Sequence, residues 1–230
     1  MENRLALIVG ASRGLGLALA EQYLERGWRV IGTVRGDTRT GLHELAVRAG
    51  GRLEIEAVDI TRPEEVAALG RRLDGRTVDL LFVNAGIASN IEQAIGEVPT
   101  EDFVRLMVTN ALSPMRVVEA LERLVPSSGT IGVMSSGLGS IAENDQGSWA
   151  AYSASKAALN MLMRRFAARR GPDPRAMVVM APGWVRTEMG GTAADLAIEE
   201  SIPGVVDTLI GCAGKPGLRF LDYTGRTVAW

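Results

Sequence analysis

The chain has 230 residues, of which 47% are hydrophobic and 23% are charged, and its formal net charge is −2. This length and composition predict one folded domain with a sizeable core and exclude an intrinsically disordered protein. The charges have mixed signs along the chain and form no basic stripe, so we expect no nucleic-acid partner.

Apolar runs of strand length alternate with helical patterns along the chain. The runs predict seven strands, at 5–10, 29–34, 53–59, 78–86, 130–136, 175–183 and 218–223. The patterns between them predict helices at 15–27, 39–49, 61–73, 101–124, 150–169 and 195–212. Unbroken apolar strands separated by helices are typical of a parallel sheet that is covered on both faces. We therefore predict an α/β fold, a single doubly wound domain over residues 1–230 with about seven mostly parallel strands.

The segment GASRGLG follows the first predicted strand directly and opens the first predicted helix. Its glycines let the backbone turn tightly and let a pyrophosphate approach the helix N-terminus, where free N–H groups favour anions. This context predicts a nucleotide-binding loop, with an ordinary tight turn as the alternative. The candidate cofactor-binding residues of this loop are Gly10, Ser12, Arg13, Gly14, Leu15 and Gly16.

Two arginines bear on the choice of nucleotide. NAD-binding folds of this type usually carry an acidic residue after the second strand, where this chain has Arg35. Arg13 lies inside the glycine loop, and two guanidinium groups near the adenosine ribose suit a 2′-phosphate. We therefore expect NADP(H) to be preferred, with NAD(H) possible. The alternative is that both arginines are solvated surface charges.

The segment YSASK places Tyr152 and Lys156 four residues apart in a predicted helix. Residues at this spacing share one helix face, so both side chains can point into one cleft. A nearby ammonium favours the phenolate and lowers the pKa of a tyrosine, which suits it to proton exchange. The chain has only two lysines among 25 basic residues, and an ammonium is a more compact donor than a guanidinium. The alternative is a chance pair on an exposed helix.

Taken together, these motifs resemble those of the short-chain dehydrogenase/reductase family. The matches run through nearly the whole chain and comprise GASRGLG at 10–16, Asp59 after the third strand, NAG at 84–86, Asn110, MSS at 134–136, YSASK at 152–156 and PGWVRTEM at 182–189. The tail FLDYTGRTVAW is similar to the C-factor/sniffer-like carbonyl reductase branch. The resemblance implies a Rossmann-like domain and reduction of a small-molecule carbonyl to an alcohol with NADPH.

The resemblance also implies the role of each residue. Tyr152 would be the acid or base, Lys156 would hold the nicotinamide ribose, and Ser136 would polarise the substrate oxygen. Asn110 would help to hold a water that leads to Lys156. Val185 and Thr187 would contact the nicotinamide carboxamide. The other implied cofactor contacts are Arg35, Asp59, Ile60, Asn84, Ala85, Gly86, Pro182 and Gly183.

Ser136 and Tyr152 are 16 positions apart, slightly more than is usual in the family, and the neighbouring Ser135 could supply the active hydroxyl instead. Trp149 and Trp184 would flank the cleft, either as an apolar wall or as ordinary packing. The motif SASK also fits the S-x-x-K of penicillin-recognising enzymes, but the S-D-N and K-T-G triplets of that family do not occur. A non-catalytic signalling or sensor protein of the same fold is the main competing function.

One cysteine excludes an internal disulfide and fits a reducing, cytoplasmic setting. One histidine and one cysteine make a metal site built from these residues improbable, so we expect none. No apolar run approaches the roughly 18 residues of a membrane span, so we expect no membrane association. The resemblance implies a homodimer or homotetramer.

Overall fold

The computed structural model describes residues 4–88, 93–145 and 147–230. Seven strands form one sheet in the order β3-β2-β1-β4-β5-β6-β7, and every neighbouring pair is parallel. The strands are β1 Leu5–Val9, β2 Arg29–Val34, β3 Leu53–Ala57, β4 Leu80–Val83, β5 Thr130–Met134, β6 Ala176–Ala181 and β7 Gly217–Asp222. The predicted doubly wound α/β fold is confirmed.

Helices follow the strands and cover both faces of the sheet. They are α1 Gly14–Glu25, α2 Gly41–Arg48, α3 Pro63–Arg72, α4 Thr100–Met107, α5 Ser113–Leu121, α6 Ala150–Arg170 and α7 Ile198–Cys212. In the described part of the chain, no helix combines the length and the apolar character that crossing a membrane requires.

Alternate residues of the central strand point into two separate core layers. Leu7 belongs to the layer formed with α3, α5 and α6, whereas Ile8 belongs to the layer formed with α1, α2 and α7. Both side chains are fully buried. This period of two on a strand that is buried on both faces explains the unbroken apolar run in the sequence. Because all strands are parallel, the loops after β1, β4, β5 and β6 meet at one edge of the sheet.

The helix predicted at 101–124 is not continuous. A π-helical segment, Val108–Leu112, separates α4 from α5. Pro114 has no backbone N–H, and in a regular α-helix its ring would clash with the carbonyl of Asn110, four residues earlier. The backbone widens over this turn, and Asn110 lies within it.

Candidate active site

The glycine loop is a tightly packed cradle at the end of β1. Gly10 has a φ of +89°, and a Cβ there would lie 2.8 Å from atoms of Ala85. A Cβ on Gly16 would lie 2.0 Å from the main-chain oxygen of Gly10. The amide of Gly10 donates to Thr33 Oγ1 at 2.9 Å, which fixes the turn to β2. The loop therefore accepts only glycine at these points and leaves its backbone open to a close ligand, which fits a dinucleotide pyrophosphate.

The segment after β4 connects this loop to α6. Asn84 Nδ2 donates to the oxygen of Gly10 at 2.8 Å. Two residues further on, a Cβ on Gly86 would lie 3.3 Å from Asn110 Oδ1 and 3.5 Å from Lys156 Nζ. The structure thus brings the glycine loop, residues 84–86, Asn110 and Lys156 together, although they are far apart in the sequence.

Asn110 is fully buried and uses its side-chain amide as a clamp. Its Oδ1 accepts from the amide of Ile87 at 2.8 Å, and its Nδ2 donates to the oxygen of Ile87 at 2.8 Å. Nδ2 also donates to Ser155 Oγ at 3.0 Å, and Ser155 Oγ donates to the oxygen of Tyr152 at 2.6 Å. Asn110 therefore fixes the loop after β4 against α6.

The two serines after β5 have different surroundings. Ser135 is buried, and its Oγ donates to Asn160 Oδ1 at 2.6 Å. Ser136 is half-buried, and its hydroxyl is close enough to Tyr152 to act on the pKa of that phenol, which it lowers. The Ser136 hydroxyl also accepts from the amide of Leu138 at 3.2 Å. Of the two hydroxyls, only that of Ser136 meets Tyr152 in the described structure.

Tyr152 and Lys156 lie one turn apart on α6, as the spacing predicts. Lys156 Nζ lies 5.7 Å from the centre of the Tyr152 ring and donates to the oxygen of Met134 at 2.9 Å. Burial raises the pKa of Tyr152 to about 12, although the hydrogen bond from Ser136 opposes this change. Burial lowers the pKa of Lys156 from 10.5 to about 8. The expected lowering of the Tyr152 pKa by Lys156 is therefore not what this arrangement produces, because desolvation outweighs the other influences.

Of the residues expected at the adenosine end, Asp59 and Arg35 lie near each other, whereas Arg13 has a different partner. Burial disfavours ionised Asp59, but hydrogen bonds from Thr61 and the nearby charge of Arg35 outweigh it, and the pKa of Asp59 is lowered. Arg13 does not join this group, because its guanidinium pairs with Glu188 at 3.0 Å. Ile60 is buried in the core layer of α3.

A short lid, residues 183–196, follows β6. Pro182 is buried, and its oxygen accepts from Ser201 Oγ at 2.6 Å. Val185 is buried and bridges to Leu196, which closes the lid on itself. Thr187 faces the glycine loop, since a Cβ on Gly14 would lie 4.0 Å from its methyl group. The lid therefore lies over the same edge of the sheet as the glycine loop.

The two tryptophans expected at the cleft are both partly exposed. Trp149 packs edge-on against Tyr152, with 5.6 Å between ring centres. Its φ of +63° is left-handed, and no other non-glycine residue of the described ranges has a positive φ. Trp184 lies on the lid, and its Nε1 donates to the oxygen of Gly190 at 2.9 Å. Gln146, in the loop before Trp149, falls outside the described residues.

Sequence reasoning missed the residues that hold the predicted ones in place. Met134 accepts from Lys156 through its main chain, so its side-chain type carries no signal. Asn160 and Ser155 could have been found, because both lie on α6 within one turn of Lys156 and are polar in a helix that packs on the core. Asn160 Nδ2 donates to the oxygen of Gly139 at 3.0 Å and so anchors the segment after Ser136.

Comparisons with known proteins agree with this geometry. Residues 4–197 match the family model described as short chain dehydrogenase. A Burkholderia multivorans chain, described as a short-chain dehydrogenase/reductase with bound NADP, is 59% identical over 100% of both chains, with a TM-score of 0.98. A carbonyl reductase from Pseudomonas aeruginosa PAO1 in complex with NADP is 39% identical over 100% of both chains, with a TM-score of 0.92.

A further relative is known by sequence. The C-signal of Myxococcus xanthus is 37% identical over 155 residues, which cover 66% of this chain and 93% of its own length. The family match spans most of the chain, and the relatives include both a C-signal and a carbonyl reductase. The chain therefore belongs to the short-chain dehydrogenase/reductase family of NAD(P)-dependent oxidoreductases, in the branch of the C-factor and the carbonyl reductases.

Proposed function

We propose that the chain reduces a ketone or aldehyde to an alcohol with NADPH, and that Tyr152 is the acid/base group. The observation that carries this proposal is the pair formed by Tyr152 and buried Lys156, one turn apart on α6 with Lys156 Nζ 5.7 Å from the centre of the Tyr152 ring, beside Ser136. The NADP bound in two similar structures supports the choice of cofactor. Arg35 beside Asp59 supports it too, because a guanidinium there suits a 2′-phosphate.

The proposed residues divide the work of the reaction. The nicotinamide dinucleotide, when bound, supplies the hydride that goes to the carbonyl carbon. Tyr152 gives its hydroxyl proton to the carbonyl oxygen, and in the oxidative direction it removes that proton. Ser136 donates a hydrogen bond to the same oxygen as negative charge develops there. Lys156 provides a positive charge that stabilises the tyrosinate left behind.

The remaining proposed residues bind or align. Asn110 aligns α6 through Ser155, and we propose that it also helps to hold a water on the proton path to Lys156. The proposed cofactor contacts are Gly10, Ser12, Arg13, Gly14, Leu15, Gly16, Arg35, Asp59, Ile60, Asn84, Ala85, Gly86, Pro182, Gly183, Val185 and Thr187. All of them lie in the loops or helix starts that follow β1, β2, β3, β4 and β6.

The first test is a fluorescence titration with NADPH and NADH in parallel. We expect NADPH to bind at least about tenfold more tightly, which corresponds to roughly 1.4 kcal/mol. Tighter binding of NADH would contradict the preference for NADPH but not the oxidoreductase activity. The second test is Tyr152→Phe, which should abolish carbonyl reduction and leave the NADPH dissociation constant nearly unchanged. Tyr23→Phe is the matched control, because Tyr23 is buried between α1 and the sheet and has no proposed role.

The same substitution separates catalysis from a binding function. If Tyr152→Phe binds NADPH normally and the wild-type protein reduces no compound in a panel of ketones, aldehydes and quinones, the carbonyl reductase proposal fails. The nucleotide-binding signalling protein would then be the function to pursue.

We also propose a homodimer or homotetramer, formed through α4, the π-helical segment and α6. An apolar groove of about 350 Å³ runs between these helices. Leu112 and Met161 line this groove and are 41% and 57% exposed. A second copy of the chain would cover them. Light scattering should show an oligomer that Met161→Glu dissociates, whereas a monomeric wild-type protein would contradict the proposal.

A further inference from the structure

The last two residues, Ala229 and Trp230, lie against the loop that follows Ser136. We call residues 229–230 the tail pair and residues 137–145 the serine loop. The amide of Ala142 donates to the main-chain oxygen of Trp230 at 3.2 Å. The amide of Ala229 donates to Glu143 Oε1 at 2.8 Å. Two hydrogen bonds thus join a surface loop to a segment 86 positions away in the sequence.

The tail pair is itself held by rigid parts of the fold. The Trp230 indole packs on Phe220 of β7, with ring centres 5.5 Å apart, and it contacts the core layer of α6. The guanidinium of Arg164, on α6, lies 5.0 Å above the indole. Since α6 also carries Tyr152 and Lys156, the tail pair is fixed to the same helix as these proposed site residues.

The serine loop carries this constraint back to the Ser136 hydroxyl in a few steps. The amide of Glu143 donates to Ser140 Oγ at 3.0 Å. Asn144 Nδ2 donates to the oxygen of Leu138 at 3.0 Å, and the amide of Leu138 donates to Ser136 Oγ at 3.2 Å. Asn144, the neighbour of Glu143 in the chain, therefore holds Leu138, and Leu138 in turn donates to the Ser136 hydroxyl.

We infer that Trp230 and Glu143 are positioning residues for Ser136, which set the direction of its hydroxyl through the serine loop. The inference rests on the proposed function, in which Ser136 donates to the substrate oxygen. Neither residue contacts Tyr152 or Lys156 in the described structure. A displacement of a catalytic group by about 1 Å can reduce turnover about a hundredfold, and exposed loops move unless they are anchored. The anchors must come from outside the loop: Asn160 holds its first half at Gly139, and the tail pair holds its second half at Ala142 and Glu143.

The first experiment measures ketone reduction and NADPH binding in Trp230→Ala and Trp230→Phe. We expect Trp230→Ala to lower kcat about tenfold while the NADPH dissociation constant changes by less than about twofold. Trp230→Phe keeps a ring on Phe220 and should restore most of the activity. Trp28 is the matched control, because it also packs on an aromatic ring, that of Tyr23, and lies under an arginine, Arg4. Trp28→Phe should leave kcat unchanged. An equal loss of kcat in Trp230→Ala and Trp28→Phe would overturn the inference.

Glu143 gives a second, milder test in case Trp230→Ala fails to fold. Glu143 is exposed, so its substitution leaves the core intact. Glu143→Gln keeps an oxygen that can accept from Ala229 and should retain kcat. Glu143→Ala removes the acceptor and should lower kcat about threefold to tenfold. Equal activity in the two variants would contradict a positioning role for Glu143.

Hydrogen exchange tests the anchor without any turnover. In Trp230→Ala the amides of residues 137–145 should exchange about tenfold faster than in the wild type, and in Trp28→Phe they should not. Unchanged exchange in Trp230→Ala overturns the inference, and so does faster exchange with unchanged kcat. If the loop loosens as expected but the wild-type protein reduces no carbonyl compound, the proposed function fails and the structural coupling stands.

Discussion

Lys156 Nζ donates a hydrogen bond to the main-chain oxygen of Met134 at 2.9 Å and thereby joins α6 to the end of β5. The lysine is only 3% exposed. One carbonyl replaces only part of the water that an ammonium loses on burial, so burial lowers the pKa of Lys156 from 10.5 to about 8. Met134 directly precedes the two serines, so this contact also helps to fix the position of Ser136 relative to α6.

This lowered pKa makes the stability of the protein depend on pH. Between about pH 8 and pH 10.5 the unfolded chain holds a proton on Lys156 that the folded chain has released. Because the unfolded state binds more protons in that window, the free energy of unfolding rises with pH there and is flat below it. Relative to Lys156→Met, we expect the wild type to gain roughly 2 kcal/mol between pH 7 and pH 10. Urea unfolding at four pH values measures this gain.

The other lysine of the chain is the control for this experiment. Lys215 is exposed, so Lys215→Met should keep the wild-type pH profile. The raised pKa of Tyr152 changes the free energy of unfolding mainly above pH 10, outside the compared range. If the profiles of the wild type and Lys156→Met are parallel, the pKa of Lys156 is the same in the folded and the unfolded chain, and the prediction is wrong.

The two adjacent serines should separate stability from catalysis. Ser135→Ala leaves Asn160 Oδ1 buried without the hydroxyl that donates to it, which should cost about 1–3 kcal/mol of stability and leave kcat nearly unchanged. Ser136→Ala should reduce kcat about a hundredfold or more with little loss of stability. Thermal unfolding and steady-state kinetics on both variants check this. Loss of activity in Ser135→Ala, with Ser136→Ala active, would assign the catalytic hydroxyl to Ser135.

The strands could be predicted from the sequence because each is an unbroken apolar run between polar segments. The strand predicted at 29–34 has the same bounds in the structure, and α3 begins with Pro63 and with Glu64 and Glu65 in its first turn. These signals are local, and the fold follows from them. The π-helical segment could not be predicted in the same way, since the apolar spacing of α4 and α5 continues through it. Only Pro114 hinted at it, and a proline near a helix interior predicts a kink without giving its form.

The candidate site could be predicted from the sequence only in part. Tyr152 and Lys156 share a helix face by spacing alone, whereas the Lys156 contact to Met134 depends on how α6 packs against β5. The pKa of Tyr152 depends on burial, which the sequence does not give directly. The ion-pair partner of Arg13 could not be predicted either, because Glu188 lies in the lid, and only the fold brings the lid to the glycine loop.

The tight packing around Gly16 predicts that one added methyl group will impair both cofactor binding and stability. A Cβ at Gly16 would lie 2.0 Å from the oxygen of Gly10, and Gly10 is itself confined, since a Cβ on it would lie 2.8 Å from Ala85. We expect Gly16→Ala to lose NADPH binding and to destabilise the fold by about 2 kcal/mol or more. Calorimetric titration and thermal unfolding measure the two effects.

Gly211 offers the opposite substitution. It lies in α7, and a Cβ there would meet no atom within 4 Å. Gly211→Ala should therefore stabilise the protein by about 0.5–1 kcal/mol, through helix propensity, without altering NADPH binding. If Gly16→Ala behaves like Gly211→Ala, the glycine loop is looser than the structure shows and its role as a cradle fails.

The ion pair between Arg13 and Glu188 predicts how the lid affects cofactor choice. Both side chains are about three-quarters exposed, so the pair adds little to stability, and Glu188→Gln should change the free energy of unfolding by less than about 0.5 kcal/mol. In the proposed complex the 2′-phosphate shares Arg13 with this carboxylate. Glu188→Gln should therefore tighten NADPH binding about threefold and leave NADH binding unchanged.

Salt and a matched glutamate make this prediction specific. The gain in NADPH affinity should shrink as ionic strength rises, because both charges face solvent. Glu119→Gln removes the same charge from an exposed ion pair with Arg169, away from the glycine loop, and should not alter NADPH binding. Weaker NADPH binding in Glu188→Gln would reverse the interpretation. The ion pair would then hold the lid closed over the bound dinucleotide, and Arg35 alone would be left to select the 2′-phosphate.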